Sequence, residues 1–91
     1  MELVVKHDKD NERFITEVDG SEAFLDYQRE GDKINFYHTY TPPRLRGRGI
    51  AKTVVEFAFK YARENNLKVI PSCSYVQSFV ERNKEYKDLL V

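Results

Sequence analysis

The stretch Arg44-Leu45-Arg46-Gly47-Arg48-Gly49 places three guanidinium groups and two glycines within six residues. Guanidinium presents forked N–H donors that match phosphate oxygens, and glycine lets those oxygens approach the backbone without meeting a side chain. The combination suits a diphosphate wherever a helix N-terminus opens at the same place. Three further residues have side chains able to move protons or attack a carbonyl. Cys73 can serve as a thiolate nucleophile or as an acid or base, His38 as a base, and Tyr75, just past Cys73, as a proton donor. Each also has a plainer reading: a free cysteine as a small core residue, a histidine as a hydrogen-bonded core imidazole, a tyrosine as an inert rim residue. Ser72 and Ser74 beside Cys73, and its place at a strand end before a helix, keep the reactive reading open. His7, on the ragged end of the first strand, reads as a surface residue.

The elements that must position these groups follow from hydrophobic periodicity. Glu2 to Lys6 and Arg13 to Val18 read as two short antiparallel strands separated by the polar stretch His7 to Glu12. Asp19-Gly20 signals a turn, and Ala23, Leu25 and Tyr27 then alternate against Asp26 and Gln28 in a third strand. After Glu30-Gly31-Asp32, the residues Ile34, Phe36, His38 and Tyr40 share one face of a fourth strand, with Tyr37 and Thr39 on the other. Pro42-Pro43 ends it, because neither residue can donate a ladder hydrogen bond. The period then changes: Ile50, Val54, Phe57, Ala58, Tyr61 and Ala62 predict an amphipathic helix over roughly Arg48 to Asn65. Leu67 to Ser72 is a fifth strand, parallel to the fourth across the helical crossover. Ser74 is the expected N-cap of a last helix carrying Val76, Phe79 and Val80, and Glu85 to Val91 is a loose apolar end that docks on the sheet.

The arginine-glycine turn therefore lies between a strand and a helix, where orphan amides and the positive end of the helix dipole converge. A bare pair of glycines would mean only a tight turn. Arg46, Arg48 and Lys52, however, oppose the dipole at that end unless an anion is bound, so the turn holds a latent preference for phosphate. It is not a Walker loop, lacking the terminal Gly-Lys-Ser/Thr, and not a dinucleotide turn, lacking the third glycine and the following acidic ribose ligand.

Composition narrows the class. The 91 residues support one core and one domain, residues 1–91, and 41% hydrophobic residues are enough to build it. Lysine plus arginine equals aspartate plus glutamate at 15 each, so no overall field recruits nucleic acid or an anionic membrane. A single cysteine cannot form an internal disulfide, no leader-like segment precedes the first strand and no apolar run approaches a membrane span; a soluble cytoplasmic protein, monomeric or weakly dimeric, is expected.

These residues resemble a family. Arg44 to Gly49 matches the Q/R-x-x-G-x-G/A signature of GNAT-type N-acetyltransferases. His38-Thr39-Tyr40, Ala51, Ala62-Arg63-Glu64 and Ile70-Pro71-Ser72-Cys73 look like that superfamily's small stand-alone branch, so the resemblance covers about Asn35 to Leu90. It implies an α+β (α/β) fold with a mixed, mostly antiparallel sheet of about five strands, strands four and five parallel around the crossover helix. It implies acetyl-coenzyme A as cosubstrate, without a metal, and an amine as acceptor. By analogy, the turn Arg44, Leu45, Arg46, Gly47, Arg48, Gly49, with Ile50 and Ala51, holds the coenzyme pyrophosphate. Thr39, Tyr40 and Thr41 pair with its pantetheine arm.

Acetyl transfer from a thioester needs a neutral amine, a donor for the developing oxyanion and a proton for the departing thiolate. If strands four and five splay as the family resemblance implies, the thioester lies between Tyr40-Thr41 and Ser72-Cys73, within reach of Cys73. Transfer then proceeds by direct amine attack or through an acetylated Cys73. Larger members carry a general-acid tyrosine in the last helix, where this chain has Phe79 and Val80. The resemblance gives these 91 residues no counterpart of the elements that wall the acceptor site in those members, so an acceptor groove that is open or completed by another subunit is expected. A coenzyme A-binding module without catalysis is the alternative. A nucleic-acid binder built on the arginines is weaker, because no aromatic platform interleaves with them.

Overall fold

The computed structural model describes residues 3–91, so the Glu2 end of the first expected strand lies outside the described residues. The sheet comprises β1 (Lys6–Asp8), β2 (Arg13–Val18), β3 (Ser21–Glu30), β4 (Lys33–Tyr40) and β5 (Lys68–Ile70). The strands lie in chain order, antiparallel throughout except for the parallel pair β4 and β5. Helices α1 (Ile50–Glu64) and α2 (Ser74–Arg82) and a 3-10 helix at Lys84–Leu89 complete the fold. This is the mixed α+β architecture that the strand and helix patterns predict.

Strand β1 begins later than its apolar residues suggest, because its partner fixes the register: Lys6, His7 and Asp8 pair with Ile15, Phe14 and Arg13. Asp8 closes the hairpin by accepting from the Asn11 backbone at 3.3 Å and from its side-chain amide at 2.9 Å. His7, expected on the surface, is instead half-buried. Its ring stacks on Phe14 at 4.3 Å, and Nε2 lies 2.6 Å from the Tyr27 hydroxyl.

The more consequential difference is in β4. Tyr27 pairs with Phe36 and Asp26 with His38, which leaves Tyr37 as an extra residue in a β-bulge. A bulge reverses the side-chain alternation beyond it. Ile34, Phe36 and Thr39 thus share the face that carries the helices. His38 and Tyr40 turn to the opposite face, where they meet Phe24 at ring distances of 6.0 and 5.6 Å. The uniform alternation expected for this strand is therefore corrected at Tyr37.

The core fills the space between the sheet and the helices. Phe14, Leu25, Ile34, Phe36, Val55, Phe59, Val69 and Val76 are fully buried, and each such side chain contributes about 1.5–3 kcal/mol by leaving water. Phe59 stacks on Phe79 at 5.5 Å, joining α1 to α2. The buried stripe of α1 therefore extends to Val55 and Phe59, while Phe57, expected inside, is 38% exposed. The C-terminal segment is more ordered than a loose end. Tyr86 and Leu89 are buried, Leu90 bridges Val69, and the Val91 amide donates to the Val69 carbonyl at 3.1 Å. No helix among the described residues is long and apolar enough to cross a membrane.

Candidate active site

Between β4 and α1 the chain makes a 3-10 turn at Pro43–Leu45 and then passes through Gly47 and Gly49, both at positive φ, 80° and 76°. Gly49 is the N-cap of α1, no side chain caps that end, and no acidic residue lies in its first turn. The amides of Ile50, Ala51 and Lys52 therefore lack intrahelical acceptors and present the positive end of the helix dipole. Beyond the adjacent residues, a Cβ on either glycine would meet no protein atom within 4 Å. Their backbone conformation requires glycine, and the space before them is open to a ligand.

The turn borders a cleft of about 410 Å³ lined by Thr39, Thr41, Leu45, Arg46, Gly47, Gly49, Ile50, Ala51, Lys52 and Tyr75. All ten were marked out in the sequence, Lys52 as a cation at the helix start. Leu45 is fully buried and packs with Val18, Ala23 and Ile50, so its larger part is to anchor the turn. The arginines divide. Arg46 donates from Nε to the Thr41 carbonyl at 3.0 Å at the cleft wall. Arg44 reaches away to the β2–β3 hairpin, donating to the Asp19 carbonyl at 2.6 Å and to the Ser21 hydroxyl. Arg48 sits 3.5 Å from the Asp19 carboxylate, beside a separate depression. Neither Arg44 nor Arg48 lines the cleft.

Strands β4 and β5 pair over only three residues each, Lys33–Asn35 with Lys68–Ile70. Beyond them β4 runs on to Tyr40, whereas the chain after β5 turns through Pro71 towards α2. At this divergence the Cys73 amide donates to the Phe36 carbonyl at 3.1 Å, which holds Cys73 extended, at φ −78° and ψ 132°. Cys73, not Ser74, is consequently the N-cap of α2. Its sulfur lies 3.6 Å from Thr39 Oγ1, and Thr39 itself lines the cleft. Burial pushes the thiol pKa up, but hydrogen bonding from the Thr39 hydroxyl and from the amides of Val76 and Tyr75 outweighs it, leaving Cys73 below the ordinary thiol value. Tyr75 is shifted upward, by burial first, against a smaller downward pull from the Arg82 charge. It remains a protonated phenol at neutral pH.

His38 and Tyr40 do not project into the cleft. The bulge at Tyr37 carries both side chains to the other face of the sheet, so Tyr40 can meet a ligand in the cleft only through its backbone. Sequence alternation missed the Thr39 side chain as a neighbour of Cys73 for the same reason. Among the described residues no group of three His, Cys, Asp or Glu side chains is placed to hold a metal ion.

A GCN5-related N-acetyl-transferase family model matches residues 13–89. The chain is similar to Protein NATD1 from Danio rerio, at 38% identity over 84 residues, covering 89% of this chain and 76% of that protein. It is similar to the Homo sapiens Protein NATD1 at 35% over 82 residues, covering 87% and 73%. The solution structure of a GCN5-like candidate N-acetyltransferase from Staphylococcus aureus superposes with a TM-score of 0.77 at 30% identity, covering 98% of this chain and 88% of that one. The chain belongs to the GCN5-related N-acetyltransferase family.

Proposed function

We propose that this protein binds acetyl-coenzyme A in the cleft and transfers the acetyl group to a primary amine. The observation that carries this reading is the uncapped N-terminus of α1, open to a cleft that Thr39 and Tyr75 also line, with the Cys73 thiol 3.6 Å from Thr39. The amides of Ile50 to Lys52, with Arg46 and the Lys52 ammonium, supply the donors that a diphosphate requires. The divergence of β4 from β5 leaves backbone of β4 free to pair with an amide-bearing arm and to donate to a thioester oxygen.

In direct transfer, the neutral amine attacks the thioester carbonyl, the C–N bond forms and the C–S bond breaks. The departing thiolate takes a proton from the Tyr75 hydroxyl or from water, and the ammonium proton is lost to solvent. A second route is favoured by the depressed Cys73 thiol: the thiolate attacks the carbonyl, coenzyme thiolate departs, and the amine then displaces Cys73 from the acetyl group. His38 has no part in either route, because its side chain faces away from the cleft. A cytoplasmic location and a monomeric or weakly dimeric state accompany this proposal.

Incubation with labelled acetyl-coenzyme A and a panel of amines tests it. Release of free coenzyme thiol that depends on the amine is the expected result. Label retained on Cys73 and lost in Cys73→Ala identifies the two-step route, and full turnover by Cys73→Ala identifies direct transfer. Saturable binding with neither turnover nor labelled protein would leave a coenzyme-binding module and remove the enzyme.

A further inference from the structure

A second, smaller cavity of about 200 Å³ adjoins the cleft. Lys52, Tyr75, Ser78, Phe79, Arg82 and Asn83 line it, and Lys52 and Tyr75 belong to both. It therefore lies against the first turn of α1 and runs along α2 towards its C-terminal end.

Lys52 and Arg82 are both exposed, and neither forms an ion pair among the described residues. Two unmatched cations lining one concave site, with the Ser78 hydroxyl beside them, repel one another unless an anion lies between. The depression on the other flank of the turn offers only Arg48, which is already beside Asp19. The third cavity with two cations, between Lys84 and Lys87, contains Glu81 and shares no residue with the cleft.

We infer that the Lys52–Arg82 cavity binds a phosphomonoester, the 3′-phosphate on the ribose of coenzyme A, and thereby makes the protein select coenzyme A over its 3′-dephospho form. The inference rests on the proposed function, which sets the pyrophosphate at the amides of Ile50 to Lys52. Only the ribose separates the pyrophosphate from the 3′-phosphate, so the two groups need adjacent sites, and Lys52 joins these two. Phe79 gives the same cavity an apolar wall against which the edge of adenine can rest.

Calorimetric titration of the wild type and Arg82→Gln with coenzyme A and with 3′-dephospho-coenzyme A is the test. Arg82 is at the surface, so its replacement leaves the core intact. The wild type should bind coenzyme A about tenfold more tightly than the dephospho form, the effect of one charge-assisted phosphate contact. Arg82→Gln should lose most of that preference while keeping its affinity for the dephospho form, and Arg82→Lys should recover part of it. Equal wild-type affinities for the two forms would overturn the inference and leave the proposed function standing. So would equal affinities combined with inorganic phosphate shifting the Ser78 and Arg82 amide resonances, which would assign the cavity to a separate phosphate. Failure of the wild type to bind either form would overturn both.

Discussion

The Thr39 hydroxyl lies 3.6 Å from Cys73 Sγ, across the gap where β4 and β5 part. Two backbone features create this contact: the bulge at Tyr37 turns Thr39 onto the helical face, and the Cys73 amide bond to the Phe36 carbonyl holds the thiol at the N-terminus of α2. The first-turn amides of that helix and the Thr39 O–H then stabilise the thiolate together.

Thr39→Val should raise the pH midpoint of Cys73 alkylation by iodoacetamide, because the thiolate loses a donor that burial alone would otherwise oppose. At pH values below both midpoints the alkylation rate should fall by up to about tenfold, the equivalent of one pKa unit. Thr39→Ser should restore the wild-type profile. An unshifted midpoint in a folded Thr39→Val protein would show that the contact does not act on the thiol.

Gly49→Ala should weaken coenzyme binding and cost about 1–2 kcal/mol of stability, since a non-glycine residue must hold φ near 76° at the α1 N-cap. Thermal melting and titration with coenzyme A measure the two effects separately. A loss of affinity much larger than the loss of stability locates the ligand against the Cβ, where no protein atom beyond the adjacent residues lies within 4 Å. Full affinity would remove the turn from the site.

His38→Ala should leave coenzyme affinity unchanged, because its side chain shares the far face of the sheet with Phe24 and Tyr40. A large loss of affinity in this variant would mean that the coenzyme reaches that face.

His7→Ala should lower stability by about 1 kcal/mol through loss of the Tyr27 hydrogen bond, a fall of several degrees in Tm for a chain of this size. Burial, more than the nearby Lys9, holds the His7 pKa below its ordinary value against the opposite pull of Asp8. The unfolded chain therefore takes up the proton first. The His7 contribution is present above the unfolded pKa near 6.5 and is lost as pH falls through the folded value. Melting curves from pH 8 to 5 should show an acid decline for the wild type that is shallower in His7→Ala.

The residues that could be read in advance were those whose pattern is local. The 3.6-residue period located α1 to within two residues at each end, the paired prolines marked the end of β4, and the arginines and glycines between them marked the turn. What could not be read depends on pairing between distant strands. Nothing in Tyr37-His38-Thr39 announces an extra residue opposite β3, yet that residue exchanges the faces of His38 and Thr39. The side-chain partners of the arginines were equally hidden. Arg44 and Arg48 sit in the same motif as Arg46, but Asp19 and Ser21 draw them to the β2–β3 hairpin. Arg82 lies on α2 outside its apolar stripe, and only tertiary packing sets it in one cavity with Lys52.

Titration of the labelled protein with acetyl-coenzyme A, followed through its backbone amide resonances, probes the site most directly. Saturable movement of Gly47, Gly49, Ile50, Ala51 and Lys52, with smaller shifts at Thr39 and Tyr75, is the predicted result. Amides at that corner that stay in place at millimolar coenzyme would contradict the assignment of the α1 N-terminus as the diphosphate site.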